Sequence, residues 1–309
     1  MNSGDTDQMM PGLPAVLAPL LTPFGHDLLP DVAAFVAWCR RLDGQGLGLA
    51  PFGTTGEGNS LAVEEKMALL DALAAAGLDL ARVVPGTGAC ALTDTVRLTA
   101  HAVRLGCGGV LILPPFYYKE VSDDGLFRAF AEVIERVGDA RMRVLLYHFP
   151  RQSRMPITPA LVERLLARYP GTIAGLKDSG GEFANMEAVC RAFPGLAVFT
   201  GSESLLLPLL AAGGRGCISS NANFNGRAMA GLCQRWRAAD AEAQQAELVR
   251  FRRVFDGLPL IPALKALAAR SAGHPDWRLT RPPLLDLPAD REAALLARLE
   301  AEGFGPLLG

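Results

Sequence analysis

The sequence alternates between short apolar runs and longer segments in which apolar residues recur at helical spacing. Eight of the runs are almost continuously apolar, which is typical of a parallel sheet whose outer face is covered. They begin at Ala15, Leu47, Arg82, Gly109, Arg143, Thr172, Ala197 and Gly216. Eight β–α units favour a (β/α)8 TIM barrel over a doubly wound sheet. No G-x-G-x-x-G motif opens the first helix, so a dinucleotide-binding fold lacks its fingerprint.

Two of the helical segments carry clear end signals. The segment AVEEKMALLDALAAAG is preceded by Ser60, a candidate N-cap, and ends at Gly77. In ITPALVERLLARYPG, Thr158 can cap a helix whose first residue is Pro159. These signals support the alternation of strands and helices.

Three further helical segments follow the eighth unit, and no Ser/Gly-rich linker separates them from it. We therefore predict a barrel over residues 13–237. Residues 238–309 are expected to form a C-terminal helical extension packed on the barrel, not a separate domain.

Composition excludes several classes of function. The 309 residues carry a formal net charge of -2, so no basic surface favours nucleic acid or an anionic membrane. The N-terminal stretch MNSGDTDQMMPG lacks the features of a signal peptide, and no uninterrupted apolar stretch is long enough to span a membrane. The six cysteines are scattered, the four histidines show no metal-binding spacing, and a cytoplasmic protein without a metal is expected.

The candidate chemistry lies where strands end, because a barrel of this kind builds its site from those ends. Lys177 closes the sixth apolar run, in GLKDSGG. Lysine, unlike arginine, can lose its proton when desolvated, and its amine can then attack a ketone to form a Schiff base. A solvated lysine at a strand end is the alternative.

Two further motifs accompany this lysine. Tyr147 ends the fifth run, in LLYHFP, where its phenol could relay protons beside a Schiff base. After the second run comes PFGTTGEGNS, in which glycines allow close backbone approach and the N–H groups of Thr54 and Thr55 suit a carboxylate. Glu57 in the same loop is expected to have a structural role.

Together, GTTGEG, YHFP and GLKDSGG resemble the N-acetylneuraminate lyase / dihydrodipicolinate synthase superfamily of class I pyruvate-dependent aldolases. The resemblance implies that Lys177 forms the imine with C2 of pyruvate, that Tyr147 relays protons, and that Thr54 and Thr55 hold the pyruvate carboxylate. Tyr117, in PPFYYKE, matches the tyrosine that a neighbouring subunit supplies to the relay.

The resemblance has further implications. Gly201 and Ile218 match positions that line the pyruvate end. A small 2-oxo acid such as pyruvate is the expected partner, with no dissociable cofactor beyond the Lys177 imine. A homotetramer, arranged as a dimer of dimers, is the expected assembly.

The sequence departs from the lysine-pathway synthase where substrates differ. In YHFPRQSR, His148 replaces the synthase's asparagine, and Gln152 replaces the arginine that grips the aldehyde's carboxylate. Whether Arg151 or Arg154 reaches the pocket or lies on the surface is open. Four later residues could bind substrate hydroxyls or satisfy loops: Ser202, Glu203, Asn221 and Asn223.

These observations predict a lyase that cleaves or forms a C–C bond between pyruvate and an aldehyde. The motif KDSGG favours the hydroxy-oxoglutarate and sugar-acid aldolase branches. The alternatives are a synthase that condenses pyruvate with aspartate semialdehyde, a sugar-acid dehydratase, and a barrel that only senses a 2-oxo acid. Feedback by lysine is not expected, because Val63, Lys66 and Phe116 stand where the lysine-sensing branch carries two histidines and a tyrosine.

Overall fold

The structure, a computed structural model, describes residue 10 and residues 12–308. The N-terminal stretch considered above therefore lies mostly outside the described residues. Parallel strands form the centre of the molecule, in the order β1-β2 and β3-β4-β5-β6-β7. They are β1 (Leu17–Pro19), β2 (Gly48–Ala50), β3 (Val110–Ile112), β4 (Val144–His148), β5 (Ile173–Asp178), β6 (Ala197–Thr200) and β7 (Gly216–Cys217).

The third apolar run does not form a regular strand, so the prediction of eight full strands was wrong at this one place. The run makes only isolated bridges, from Leu49 to Val83 and from Gly86 to Leu111. Pro85 lies between them, and because proline has no N–H it interrupts the ladder. A parallel bridge between Val16 and Cys217 joins the two ends of the sheet. The predicted (β/α)8 barrel is confirmed.

Helices surround the barrel and extend beyond its last segment. They are α1 (Val32–Asp43), α2 (Val63–Ala75), α3 (Leu92–Arg104), α4 (Asp123–Val137), α5 (Pro150–Ser153), α6 (Pro159–Arg168), α7 (Phe183–Ala192), α8 (Leu206–Ala211), α9 (Ala222–Arg235), α10 (Ala241–Arg253), α11 (Leu260–Ala272) and α12 (Ala289–Ala301). The three helices predicted after the barrel are α10, α11 and α12.

The predicted helix caps have different outcomes. Thr158 accepts a hydrogen bond from the Leu161 N–H (3.1 Å), as expected for the cap of α6. Ser60 is not the cap of α2, because it lies in a separate 3-10 turn and α2 begins only at Val63. The Glu65 carboxylate instead accepts a hydrogen bond from the N–H of Ala62 (2.8 Å), the residue before the helix.

A bulge in β5 determines which way Lys177 points. Ile173 pairs with Val144 while Gly175 pairs with Leu145, so β5 carries one extra residue at Ala174. Ala174 packs with the residues inside the barrel, and Ile173 and Leu176 pack with those between barrel and helices. Side chains of a regular strand alternate in direction, so without the bulge Lys177 would lie on the helix side together with Ile173.

Candidate active site

A cavity of about 660 Å³ opens at the carboxyl ends of the strands. Its walls come from β4, β5 and β6, from the loops that follow the strands, and from the C-terminal extension. Six of the seven predicted site residues line it: Thr54, Thr55, Tyr147, Lys177, Gly201 and Ile218. The barrel therefore brings together residues that lie far apart in the chain, from Thr54 to Ile218.

Lys177 and Tyr147 form the buried centre of this cavity. The two residues are direct neighbours across β4 and β5. Each is 5% exposed, and the Lys177 amine lies 4.3 Å from the centroid of the Tyr147 ring. The ring itself stacks on Phe149, with centroids 5.7 Å apart. An amine held this close to a phenol in a mostly desolvated pocket can exchange protons with it through a bound substrate.

Thr54 connects the glycine-rich loop to Tyr147. Its hydroxyl lies 3.5 Å from the Tyr147 hydroxyl, at the limit of hydrogen-bond distance. The loop reaches this position through a tight turn in which Phe52 has a positive φ of 64°. A side chain at Gly58 would overlap the Phe52 carbonyl, so glycine is required at this position.

Glu57 anchors the same loop to the C-terminal extension. Its carboxylate accepts a hydrogen bond from the fully buried Lys265 of α11 (2.5 Å) and another from the backbone N–H of Arg281 (2.9 Å). Burial lowers the pKa of Lys265, and the neighbouring Glu57 carboxylate opposes that shift. Glu57 has a positive φ of 54° and is 4% exposed, which agrees with a structural role.

The pyruvate-end positions lie at tight backbone contacts. The Gly201 N–H donates a hydrogen bond to the Asp178 carbonyl (2.6 Å), and a side chain at Gly201 would collide with Ser179. Ile218 is 1% exposed and belongs to the apolar cluster inside the barrel. Backbone and apolar side chains thus form this part of the wall.

Tyr117 does not line the cavity of its own chain. It lies between β3 and α4, its side chain is 73% exposed, and its ring packs edge-on against Tyr118 with centroids 5.4 Å apart. The predicted contribution of Tyr117 to a neighbouring subunit's site remains a prediction.

The structure separates the two arginines that follow β4. Arg151 and Gln152 line the cavity, whereas Arg154 is exposed outside it. His148 is buried, and its Nδ1 accepts a hydrogen bond from the Ile157 N–H (3.0 Å). His148 therefore holds the chain after α5 in place.

The four polar residues on the later loops divide in a similar way. Ser202 lines the cavity. Glu203 is fully buried and accepts hydrogen bonds from the hydroxyl of Ser219 and from the side-chain amide of Asn221 (2.6 Å). The amide of Asn223 donates to the Pro19 carbonyl (2.8 Å). Three of the four side chains, all but that of Ser202, therefore form hydrogen bonds within the fold.

The sequence patterns did not indicate the cavity wall formed by the C-terminal extension. Arg252 from α10, residues 259–262 and Leu284 line the cavity, as does Ser220 after β7. The extension contains no strand end or glycine-rich motif that would mark these positions. The only signal is the pair of prolines, Pro259 and Pro262, at the start of α11.

The described part of the chain contains neither a metal-binding cluster nor a membrane-spanning helix. No group of three or more histidine, cysteine, aspartate or glutamate side chains is arranged to hold a metal ion. None of the described helices combines the length and the apolar character needed to cross a bilayer.

A (β/α)8 barrel with a buried lysine–tyrosine pair at the carboxyl ends of its strands is typical of lyases that act through a Schiff base. Residues 13–302 match the dihydrodipicolinate synthetase family, and the chain belongs to that family. The resemblance inferred from the three loop motifs is confirmed, and the chain is a lyase of this family.

Curated relatives match almost the whole chain. A protein of Chloroflexus aurantiacus named an uncharacterized DapA-like lyase is 35% identical over 288 residues, covering 92% of this chain and 95% of its own. A 4-hydroxy-tetrahydrodipicolinate synthase of Thermus thermophilus is 31% identical over 297 residues, covering 94% and 96%.

Solved structures give the same result. Dihydrodipicolinate synthase from Agrobacterium tumefaciens superposes with a TM-score of 0.85 at 32% identity, covering 93% of this chain and 98% of its own. YagE, a prophage protein of the dihydrodipicolinic acid synthase family from E. coli K12, was solved in complex with pyruvate. It superposes with a TM-score of 0.84 at 27% identity, covering 94% and 99%.

Proposed function

We propose that the protein is a class I aldolase in which Lys177 forms an imine with C2 of pyruvate or of the pyruvyl end of a 2-oxo-4-hydroxy acid. The observation that supports this most directly is the buried Lys177 amine 4.3 Å from the Tyr147 ring, with Thr54 beside the phenol. The pyruvate complex of the E. coli prophage relative supports the choice of ligand.

In the cleavage direction, the amine of Lys177 adds to the C2 carbonyl and water leaves, which gives a protonated imine. Tyr147 gives its proton to the departing water, and its phenolate then accepts the proton of the C4 hydroxyl as C4 becomes an aldehyde carbon. The electrons of the C3–C4 bond move into the imine and form an enamine. C3 then takes that proton from Tyr147, and water adds to the imine, releases pyruvate and restores the lysine and the phenol.

The remaining predicted residues bind and position the oxo acid. The backbone N–H groups of Thr54 and Thr55 are proposed to bind its carboxylate, and the Thr54 hydroxyl to orient Tyr147. Gly201 and Ile218 are proposed to line the pyruvyl end of the substrate. The protonated imine withdraws the electrons, so the proposed mechanism uses no metal and no dissociable cofactor.

We propose that the active assembly is a homotetramer built as a dimer of dimers. The exposed Tyr117, next to the exposed Tyr118, supports a neighbouring chain as the place where its phenol acts. A cytoplasmic location is proposed as well, because all six cysteines are free thiols.

Condensation of pyruvate with aspartate semialdehyde is the second candidate, because the Thermus relative is named for that synthase. We expect it to be weak, since neutral Gln152 replaces the arginine implied by the resemblance. We also expect it to be unaffected by millimolar lysine. Efficient condensation, with no cleavage of any 2-oxo-4-hydroxy acid in a panel, would favour the synthase instead.

Reductive capture tests the proposal. Pyruvate with borohydride should add one reduced pyruvyl group per chain, located on Lys177 by peptide mass spectrometry. The Lys177→Arg variant should lose the mass increase, and Lys119→Arg, which changes an exposed lysine, should retain it. An adduct on Lys66, Lys119 or Lys265, or no adduct, would contradict the proposal.

A further inference from the structure

We propose that Arg252 of the C-terminal extension binds a carboxylate at the far end of the substrate, so that the aldehyde half is itself an acid. The preferred substrates are then 2-oxo-4-hydroxy dicarboxylates. This inference rests on the proposed imine at Lys177 for the other end of the same molecule.

The surroundings of Arg252 leave its guanidinium available to a ligand. Its side chain lines the cavity and is 32% exposed, and the nearest acid is Glu203, at 3.8 Å. Both oxygens of Glu203 already accept hydrogen bonds, from Ser219 and Asn221. Among the residues that the structure describes, none accepts a hydrogen bond from the Arg252 guanidinium. The buried carboxylate therefore holds the cation in place by charge without using its N–H groups.

The charges that line the cavity favour a substrate with two acidic groups. Three basic side chains line it, Lys177, Arg151 and Arg252, against one acid, Asp178. The carboxylate of Asp178 accepts hydrogen bonds from the Gly180 N–H (2.7 Å) and from Asn185 (2.7 Å), so it belongs to the loop. A substrate with one carboxylate would leave the arginine end without an anion.

Arg252 is better placed than Arg151 to bind this second group. Arg151 is exposed on the short helix α5, whereas Arg252 lies against the fully buried Glu203. Partial burial strengthens a charge-assisted hydrogen bond, and the guanidinium fork matches a carboxylate. The hydroxyls of Ser202 and Ser220 line the same cavity on neighbouring loops and can bind the C4 hydroxyl or the carboxylate.

A matched pair of oxo acids isolates the far carboxylate. 2-Oxoglutarate and 2-oxopentanoate have the same chain length and differ in one terminal carboxylate, and neither carries a C4 hydroxyl that would permit cleavage. In the presence of borohydride, both acids should be trapped on Lys177 of the wild-type protein. Half-maximal trapping should need a roughly ten-fold or more lower concentration of 2-oxoglutarate than of 2-oxopentanoate. Arg252→Gln should lose this preference, and Arg252→Lys should keep part of it. Arg253→Gln, which changes the exposed neighbour on α10, should behave as wild type.

Pyruvate trapping on the same variants separates the two proposals. Unchanged pyruvate capture by Arg252→Gln shows that the imine end is intact, so a lost preference belongs to the far carboxylate. If the wild-type protein captures no oxo acid at all, the result contradicts the proposed imine at Lys177, whatever the role of Arg252.

Aldol condensation gives a second readout. With pyruvate as donor, Arg252→Gln should lower kcat/KM for glyoxylate roughly ten- to a hundred-fold and change it less than two-fold for uncharged glycolaldehyde. Equal losses for the two aldehydes, or a preserved preference for 2-oxoglutarate in Arg252→Gln, would overturn the role of Arg252. If the glutamine variant does not fold, Arg252→Lys carries the comparison with a smaller expected loss for glyoxylate and again none for glycolaldehyde.

Discussion

Tyr147 and Lys177 are paired across two parallel strands, and the Lys177 amine lies over the face of the Tyr147 ring at 4.3 Å. The pairing depends on the bulge at Ala174, which turns Lys177 from the helix side of β5 to the inside of the barrel. The chemistry of the site therefore depends on the register of one strand.

Removing the Tyr147 hydroxyl should impair catalysis without unfolding the chain. Tyr147→Phe keeps the ring and its stacking on Phe149 but loses the proton relay, so turnover should fall roughly 10²-fold or more. Tyr169→Phe removes a phenol that donates to Glu135 on the surface and serves as the control. Steady-state release of pyruvate measures the effect, and near-normal turnover of Tyr147→Phe would assign the relay to another group.

The strand bulge should not tolerate a side chain. In Gly175→Ala the new methyl group would lie 2.6 Å from the Ala197 carbonyl oxygen, and such overpacking costs about 1–3 kcal/mol. We expect a lower Tm and, because β5 carries Lys177, a loss of borohydride capture. Gly195→Ala, where a methyl group meets no atom within 4 Å, should change Tm little. Equal stability of the two variants would show that the bulge can shift.

The buried pair between Glu57 and Lys265 should be costly to break on one side only. Lys265→Met leaves the Glu57 carboxylate buried without its lysine, a change that typically destabilises by ~3–5 kcal/mol. The double variant Glu57→Gln/Lys265→Met should recover part of that loss. Lys119→Met is the exposed control. Urea unfolding measures stability, and a raised KM for pyruvate would report the displaced loop. A single variant as stable as wild type would exclude the anchoring role.

Complementation of two inactive variants tests the shared site. Tyr117→Phe keeps Lys177, and Lys177→Arg keeps Tyr117. If the phenol acts in a neighbouring chain, mixed assemblies of the two variants regain a fraction of wild-type turnover, because some sites then hold both groups. Tyr118→Phe is the adjacent control and should remain active. Mixing without recovery, or an active monomer by light scattering, would reject a site shared between chains.

Thiol reactivity should be confined to one cysteine. Burial raises the pKa of the Cys107 and Cys233 thiols to about 12 and that of Cys190 to about 11, so these thiols stay protonated at pH 8. Burial also raises the pKa of Cys39 and Cys217. Cys90 is exposed, so iodoacetamide should label about one thiol per chain, and Cys90→Ser should lose the label. Rapid labelling of a second cysteine would show that the core opens.

The candidate site could be predicted from the sequence where uncommon residue types stand at the ends of strands. The glycine loop, Tyr147 and Lys177 could be recognised because their types and order are specific, and the barrel followed from its apolar runs. The boundary between residues 237 and 238 stays a prediction.

The bulge at Ala174 could not be predicted, because an apolar run looks the same with or without an extra residue. The break at Pro85 was also missed, although proline lacks the donor that a strand needs. Arg252 was missed because its place in the cavity wall depends on the docking of α10 beside Glu203, a contact between residues that share no local pattern.

The bond between Glu57 and Lys265 also orders events during synthesis. The two residues are 208 positions apart, and the chain leaves the ribosome from its N-terminus. Lys177, Tyr147 and the glycine-rich loop therefore emerge before the lysine that fixes the loop. A nascent chain stopped before residue 265 carries the amine and the phenol, but its glycine-rich loop lacks the bond from Glu57 to Lys265. The loop beside Tyr147 can therefore be fixed only after α11 has been made, so a late helix completes a site whose strands are made earlier.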